Sequence, residues 1–278
     1  MLFLLLAIAS SAMIAILMRI SSRSVTANIS MLAVNYLTCM VLAAVYAEFQ
    51  FIPLPSPEFN TTAGMGAVNG ILYLIGFVLL QYNTQKNGVE LSSVFMKLGL
   101  LVPIALSVFL FAEIPNVSQC AGFALAVGAI LLINYEKGTA FTGSKLPLVL
   151  MLLAGGCGDA MAKVFEVYGP AAYAVQFLFY TFVVAFLLCL LLVIWKKERP
   201  DKYAPMFGVL VGIPNFFSAK FLLMALGDLP AVIVYPTFSV ATILVVTLTG
   251  VLLFKERLRR SQWLALTVIL AALVLLNT

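Results

Sequence analysis

Residues 235–276 read YPTFSVATILVVTLTGVLLFKERLRRSQWLALTVILAALVLL. Two apolar runs, each close to the ~20 residues that cross a bilayer, flank a short turn that holds all the charges, KERLRR. A surface helix of a soluble protein would carry charged residues along one face, and neither run does. The stretch therefore predicts two membrane-spanning helices joined by a basic loop.

The rest of the chain repeats this pattern. Apolar residues make up 63% of the sequence and charged residues 10%, with a mean hydropathy of +1.12. In soluble domains, apolar residues make up roughly 45–50% and charged residues about 25%. We expect an all-α integral membrane protein with ten spans, and no room for a soluble domain. The spans are residues 2–18, 29–49, 62–82, 91–111, 117–134, 146–165, 171–195, 203–226, 231–254 and 261–277.

The net charge of +5 is unevenly distributed. Basic residues cluster in the loops after spans 1, 3, 5, 7 and 9, and the intervening loops have none. This is the positive-inside pattern, so we place those loops in the cytoplasm and both termini outside, in a bacterial cytoplasmic (inner) membrane. Because the charge is explained by topology, we expect no nucleic-acid partner. The basic loop residues are Arg19, Arg23, Lys86, Lys137, Lys145, Lys196, Lys197, Arg199, Lys202, Lys255, Arg257, Arg259 and Arg260.

The two halves of the chain align without a gap when one is shifted by 143 residues. Chance explains matching leucines and valines, but it does not explain polar matches in register. Each repeat has five spans, an odd number, so the second repeat crosses the membrane inverted relative to the first. We predict one membrane domain, 1–278, built from repeats 1–138 and 139–278. The polar matches are Glu113 with Glu256, Ser118 with Ser261, Gln119 with Gln262 and Asn134 with Asn277.

Two acidic turns, FAEIPNVSQ before span 5 and FKERLRRSQW before span 10, are similar to turns of a known transporter family. With the ten spans as five plus five, the whole chain resembles the EamA-like branch of the drug/metabolite transporter superfamily. The first turn departs from the usual pattern, with Ile-Pro after Glu113 where Gly-Glu-x-Leu is commoner. The resemblance implies a basket of ten helices around a central cavity lined by spans 1–4 and 6–9, and transport of small polar metabolites.

Polar residues form stripes at helical spacing on several spans. One such residue alone is explained by helix–helix hydrogen bonding, but stripes on five helices favour a shared polar cavity. In span 8, Gly208 and Gly212 precede Pro214, an arrangement that fits a static kink or a gating bend. The predicted substrate-binding residues in the stripes are Asn35, Asn69, Tyr73, Gln176, Tyr180, Asn215, Tyr235 and Ser239.

Lys97 lies inside span 4, where a charge at mid-bilayer costs roughly 2.5–3.5 kcal/mol. Its side chain could snorkel to the headgroups, but Ser93 and Glu90 share its helix face. In the repeat alignment Lys97 falls on Val240, so the scaffold does not require a cation there. We predict that Lys97 and Ser93 bind substrate.

Lys220, in span 8, also breaks the repeat, since it falls on Phe77. We predict that it binds substrate as well. FMKLGLL around Lys97 is similar to the QLKI stretch of nucleotide-sugar transporters, whose lysine faces the substrate.

Asp159 and Lys163 lie four residues apart in span 6. This spacing fits a local ion pair, and it also leaves Asp159 as a proton carrier. We predict possible coupling roles for Asp159, Lys163 and Glu90.

These features favour a secondary transporter, an exporter or exchanger, that moves a small polar anionic or zwitterionic metabolite by alternating access. A flippase for lipid-linked or amphiphilic substrates is the alternative, ahead of a channel. An enzyme is not expected, because the chain has no histidine and one mid-span carboxylate. We expect no cofactor or metal, a small-molecule substrate and membrane lipids as partners, and a monomer or weak homodimer.

Overall fold

The structure is a computed structural model that describes residues 1–50, 52, 56–133, 145–199, 201–255, 258 and 260–278. Within these ranges the regular structure is helical, with no β-strand. A 3-10 turn, Ala171–Tyr173, leads into α8. The helices are α1 (Leu2–Ser21), α2 (Asn28–Tyr46), α3 (Pro57–Asn87), α4 (Val89–Leu98), α5 (Leu101–Phe111), α6 (Val117–Ile133), α7 (Lys145–Tyr168), α8 (Ala174–Lys196), α9 (Ala204–Asp228), α10 (Ala231–Phe254) and α11 (Arg260–Leu276).

The ten predicted spans are confirmed. In the described part of the chain, 8 helical segments are long and apolar enough to cross a membrane, and two shorter apolar helices, Val117–Leu132 and Arg260–Leu276, complete the set. Apolar side chains that would be costly in water remain exposed, with Phe109 at 85% and Val117 at 87%. A bilayer would cover such residues. The sequence joins the predicted repeats at residues 135–145, and of these only Lys145 lies within the described residues.

Span 4 is one membrane segment, Leu91–Phe111, but it is broken into α4 and α5. The break follows from Pro103, which has no backbone N–H to donate to the carbonyl of Gly99. The N–H of Val102 donates to that carbonyl instead, at 3.0 Å, in a tighter i→i+3 bond. The carbonyl that Pro103 leaves without its usual donor is therefore satisfied within the break, and α4 ends just before it.

The turn before α6 is built by a capping box. Asn116 Oδ1 accepts from the Gln119 N–H at 2.8 Å, and Gln119 Oε1 accepts from the Asn116 N–H at 3.0 Å. Glu113, the acidic residue of the same turn, accepts from the N–H of Val232 at 3.2 Å and so helps to cap α10. The polar residues that marked the repeat are therefore the residues that begin helices.

The repeat is visible in backbone conformation as well. Ala112 ends α5 in the left-handed region with φ 53°, and Lys255, 143 positions later, ends α10 with φ 54°. In each case the N–H of the left-handed residue donates to a carbonyl five residues back, that of Ser107 or of Gly250. A non-glycine residue rarely adopts this conformation, so the coincidence supports the two-repeat architecture.

The chain forms two compact units, and each takes helices from both halves of the sequence. The first unit is Met1–Leu74 with Met161–Gly227, and the second is Ile75–Ala160 with Asp228–Thr278. The predicted repeat boundary at 138/139 falls outside the described residues and stays a prediction.

The core of the first unit is aromatic where α2 packs along α8. Phe165 and Phe177 stack with ring centroids 4.4 Å apart, and Tyr36 lies over Phe182. Gly208 and Gly212 of α9 form a GxxxG pair against α2, since a Cβ at either would lie 2.6 Å from Val34 or Thr38. The two glycines before Pro214, which the sequence assigned to a static kink or a gating bend, are therefore close-packed contacts between helices.

The core of the second unit is aliphatic and is centred on α6 and α11. Ala126, Ala129 and Ala272 are fully buried between these helices, so the two backbones approach closely. A Cβ on Gly122 would lie 2.9 Å from the backbone nitrogen of Leu276. Spans 5 and 10, which the repeat equates, thus pack against each other through small residues.

Candidate functional site

Lys97 lies in the last turn of α4, two residues before the break in span 4. Its side chain is half-buried. The unpaired carbonyls at a helix C-terminus carry a partial negative charge that favours a cation. The break therefore creates a local environment that suits Lys97 inside an apolar segment.

The helix break is held against α7 by two glycines. A Cβ on Gly156 would overlap the carbonyl oxygen of Gly99 and would lie 2.6 Å from Val102 Cγ2. A Cβ on Gly99 would in turn lie 3.4 Å from the backbone nitrogen of Gly156. The absence of side chains on both helices thus allows backbone-to-backbone contact, next to Lys97.

This contact brings Asp159 within electrostatic range of Lys97. Asp159 follows Gly156 by one helical turn, and the charges of Lys97 and Asp159 attract each other electrostatically. The Asp159 side chain is exposed, while that of Lys97 is half-buried. A cation and an anion on different helices thus lie within electrostatic range of each other, and neither side chain is fully buried.

Tyr235 of α10 completes the arrangement, which we call the Lys97 cluster: Lys97, Asp159 and Tyr235. The Tyr235 hydroxyl donates to the main-chain carbonyl of Asp159 at 2.8 Å, and the tyrosine is 3% exposed. Ser239 lies one turn further along α10 and is half-buried. Thr242, next in the same stripe, is 4% exposed, and its hydroxyl has no hydrogen-bond partner among the described residues.

The interpretation of Asp159 and Lys163 as an intrahelical pair is corrected. Lys163 Nζ pairs with Glu166 Oε2 at 2.7 Å, three residues toward the end of α7. Asp159 interacts electrostatically with Lys97 instead. Ser93 lies one turn before Lys97 on α4 and is half-buried. Glu90 is on the first turn of α4, and its side chain lies outside the described residues.

Two predicted binding residues in the first unit bond to each other. Asn215 Nδ2 donates to Asn35 Oδ1 at 3.2 Å, and Asn35 is 2% exposed. Cys39 adds to this contact, since its thiol donates to the carbonyl of Gly212 at 3.2 Å. The network joins α2 to α9 beside the GxxxG contact.

The other predicted residues of the first unit each contact a different neighbour. Gln176 is buried and donates to the carbonyl of Gln50 at 3.0 Å. Tyr73 stacks on Tyr36 with centroids 6.4 Å apart, and Tyr180 meets Phe59 edge-on at 5.7 Å.

Asn69 and Lys220 also lie in the first unit. Asn69 is 2% exposed, and its Oδ1 accepts no hydrogen bond from any described residue. Lys220 Nζ lies 3.6 Å from the ring centroid of Tyr46, a cation–π contact. Sequence reasoning missed Tyr46, because nothing in the spacing of α2 and α9 indicates which aromatic residue meets the lysine.

Comparison with known proteins fixes the family. The profile of the EamA-like transporter family matches residues 1–135 and again residues 143–278. The chain belongs to the EamA-like transporter family. It is therefore a multi-pass membrane transporter of the drug/metabolite type, and members of this family are transporters rather than enzymes.

Two further similarities agree with this assignment. An uncharacterized protein of Haemophilus influenzae is 24% identical over 279 residues, covering 97% of this chain and 95% of that protein. A solved crystal structure matches 99% of this transporter and 94% of its own chain, with a TM-score of 0.76 at 15% sequence identity. At that identity the likeness shows the fold.

The adjacent glycines of α7 allow a matched test of the contact beside Lys97. Gly156→Ala should destabilise the transporter by about 1–3 kcal/mol, because the new methyl group overlaps backbone that cannot rotate away. Gly155→Ala is the control, since a Cβ there meets nothing within 4 Å. Thermal unfolding of the two purified variants in detergent measures the difference. Equal melting temperatures would show that α7 does not approach Gly99 this closely.

Proposed function

We propose that this EamA-like transporter is a secondary transporter for a small polar metabolite that is anionic or zwitterionic, working by alternating access. One observation carries the proposal: Lys97 lies at a break in a spanning helix, within electrostatic range of Asp159, and its side chain is only half-buried. Broken helices whose ends bind substrate or ions are a recurring feature of inverted-repeat transporters.

The chemistry of Lys97 favours an anionic group. A lysine ammonium is a compact point charge that suits carboxylate or phosphate. Without substrate, Asp159 supplies the opposite charge, which lowers the cost of a cation in the membrane. A substrate anion at Lys97 would take over this role, and the Asp159 carboxylate would then be left to bind a proton or a cationic part of the substrate.

A zwitterionic substrate suits the pair especially well. An amino acid, for example, carries an anion for Lys97 and an ammonium for Asp159. Ser93 and Ser239 lie one turn from Lys97 and Tyr235 respectively, and both can hydrogen-bond to neutral polar groups.

Coupling would involve Asp159 rather than Lys163. The Lys163 ammonium already pairs with Glu166 and is buried, so we assign it to the scaffold. Asp159 is the accessible carboxylate opposite a cation, and its protonation would weaken the hold on Lys97. We propose that a proton or the substrate occupies this carboxylate during transport.

We further propose that the transporter resides in a bacterial cytoplasmic membrane, as a monomer or weak homodimer, with both termini outside. The basic residues in alternate loops support this orientation. A cysteine introduced at Thr278 should react with a membrane-impermeant maleimide in intact cells. Reaction only after permeabilisation would show that the termini face the cytoplasm and that the proposed topology is inverted.

Lys97→Met tests the proposed binding role. Wild-type protein should be stabilised against thermal unfolding by some members of a library of small organic anions and zwitterions, because a ligand that binds the folded state stabilises it. Lys97→Met should lose this stabilisation while it still inserts and folds. The loss should be at least tenfold in affinity for the anions that wild type binds.

Lys86→Met is the control, since Lys86 is an exposed cation in the last turn of α3. It should bind the same compounds as wild type. Unchanged anion affinity in Lys97→Met would remove Lys97 from the binding site and leave Lys220 as the next residue to test.

A further inference from the structure

The segment between α8 and α9 reads KKERPDK at residues 196–202, with two carboxylates among four cations. Along the sequence the carboxylates would neutralise half of the positive charge. The structure uses them differently. Both carboxylates accept hydrogen bonds from backbone N–H groups at the starts of helices.

Asp201 caps two helices at once. Its Oδ2 accepts from the N–H groups of Thr26 and Ala27 at 2.7 and 3.1 Å, just before α2. Its Oδ1 accepts from Tyr203 and Ala204 at 2.9 and 2.7 Å, at the start of α9. The backbone N–H donors of Ala27 and Thr26 hold the pKa of Asp201 well below its usual range, so it stays ionised.

Glu198 is engaged in the same way. Its Oε2 accepts from the Ser30 N–H at 2.8 Å and from the Ser30 hydroxyl at 3.1 Å, and its Oε1 accepts from the Ile29 N–H at 3.4 Å. These bonds fall in the first turn of α2, whose N-terminus carries partial positive charge. Both carboxylates are therefore balanced by helix ends and not by the lysines beside them.

Five cations surround these caps, and we call them the basic patch: Arg23, Lys196, Lys197, Arg199 and Lys202. All five are exposed. In the part of the chain that the structure describes, none of them forms an ion pair. Arg23 joins the others because the bonds from Thr26 and Ala27 to Asp201 tie the α1–α2 loop to the α8–α9 loop.

The residues beside the patch are typical of the membrane–water interface. Trp195 and Tyr203 flank it on the chain and are 78% and 45% exposed, and such aromatic residues mark the membrane–water interface. Ile194, one residue before Trp195, is 64% exposed and would face acyl chains. Clustered cations at this depth attract the phosphates of anionic lipids.

We propose that the basic patch is a binding site for anionic phospholipid headgroups, which bridge the α1–α2 and α8–α9 loops. The ligand chemistry is a phosphodiester held in the bilayer, and the bound lipid stabilises the first unit. The proposal does not depend on which metabolite the protein transports.

The test is thermal unfolding of the purified protein in neutral detergent, with added phosphatidylglycerol or phosphatidylcholine at equal mole fraction. Phosphatidylglycerol should raise the melting temperature by several degrees more than phosphatidylcholine, and 0.5 M salt should reduce the difference. Inorganic phosphate at the same concentration should have little effect. Equal shifts with both lipids, or an equal shift with inorganic phosphate, would overturn the proposal.

A substitution at Lys197 can remove one positive charge from the basic patch without destabilising the fold. It ends α8 in the left-handed region with φ 51°, a conformation that favours glycine. Lys197→Gly should therefore be at least as stable as wild type without lipid, yet bind phosphatidylglycerol about fivefold more weakly in native mass spectrometry. Lys86→Gln, which removes one exposed cation elsewhere, should bind it as wild type does.

A triple variant, Lys196→Gln with Lys197→Gly and Lys202→Gln, should lose most of the lipid-dependent shift. The same three positions changed to arginine should keep it. Loss of the shift in Lys86→Gln as large as in the triple variant would show a diffuse charge effect and overturn the site. So would stabilisation by polyglutamate in place of phosphatidylglycerol, which would point to an acidic protein partner.

Discussion

The close approach of Gly99 to Gly156 is the constraint on which the proposed site depends. Two helices in lipid gain little from hydrophobic burial, so their association rests on packing, and packing is tightest where side chains are absent. Here the absence of two side chains brings the break in span 4 onto α7. The same approach brings the ammonium of Lys97 toward the carboxylate of Asp159, one turn beyond Gly156.

Much of the fold could be predicted from the sequence, because its signals are local. Twenty-residue apolar runs determine the spans, and the turn Asn116–Gln119 forms the capping box that its residue types favour. The repeat was visible because polar residues such as Glu113 lie at helix ends. It recurs in the backbone, since Ala112 and Lys255, 143 positions apart, end their helices in the same left-handed conformation.

The partners of the charged residues could not be predicted. The spacing of Asp159 and Lys163 is ideal for an intrahelical pair, but Lys163 pairs with Glu166. Asp159 interacts electrostatically with Lys97 on another helix. Contacts between helices leave no periodic trace in a single sequence. The polar stripes show the same limit: Asn35 and Asn215 satisfy each other, whereas Asn69 has a buried oxygen that nothing described satisfies.

The two units use polar groups in different ways. In the first unit, the carboxylates and amides mostly form helix caps and hydrogen bonds between helices, as Asp201 and Asn35 do. In the second, the Lys97 cluster keeps a cation and an anion accessible. A polar group inside a membrane costs least when it is satisfied, so a pair that remains accessible is where we place substrate chemistry.

The most direct test of the interaction between Lys97 and Asp159 is a double-mutant cycle. The quantity measured is the free energy of unfolding of the purified protein in detergent. Lys97→Met and Asp159→Asn should each destabilise the protein, because each leaves the other charge without its counterpart. The double variant should be more stable than the sum of the single losses predicts, with a coupling of about 1 kcal/mol or more. Additive losses would mean that the two charges do not interact, and the central claim would fail.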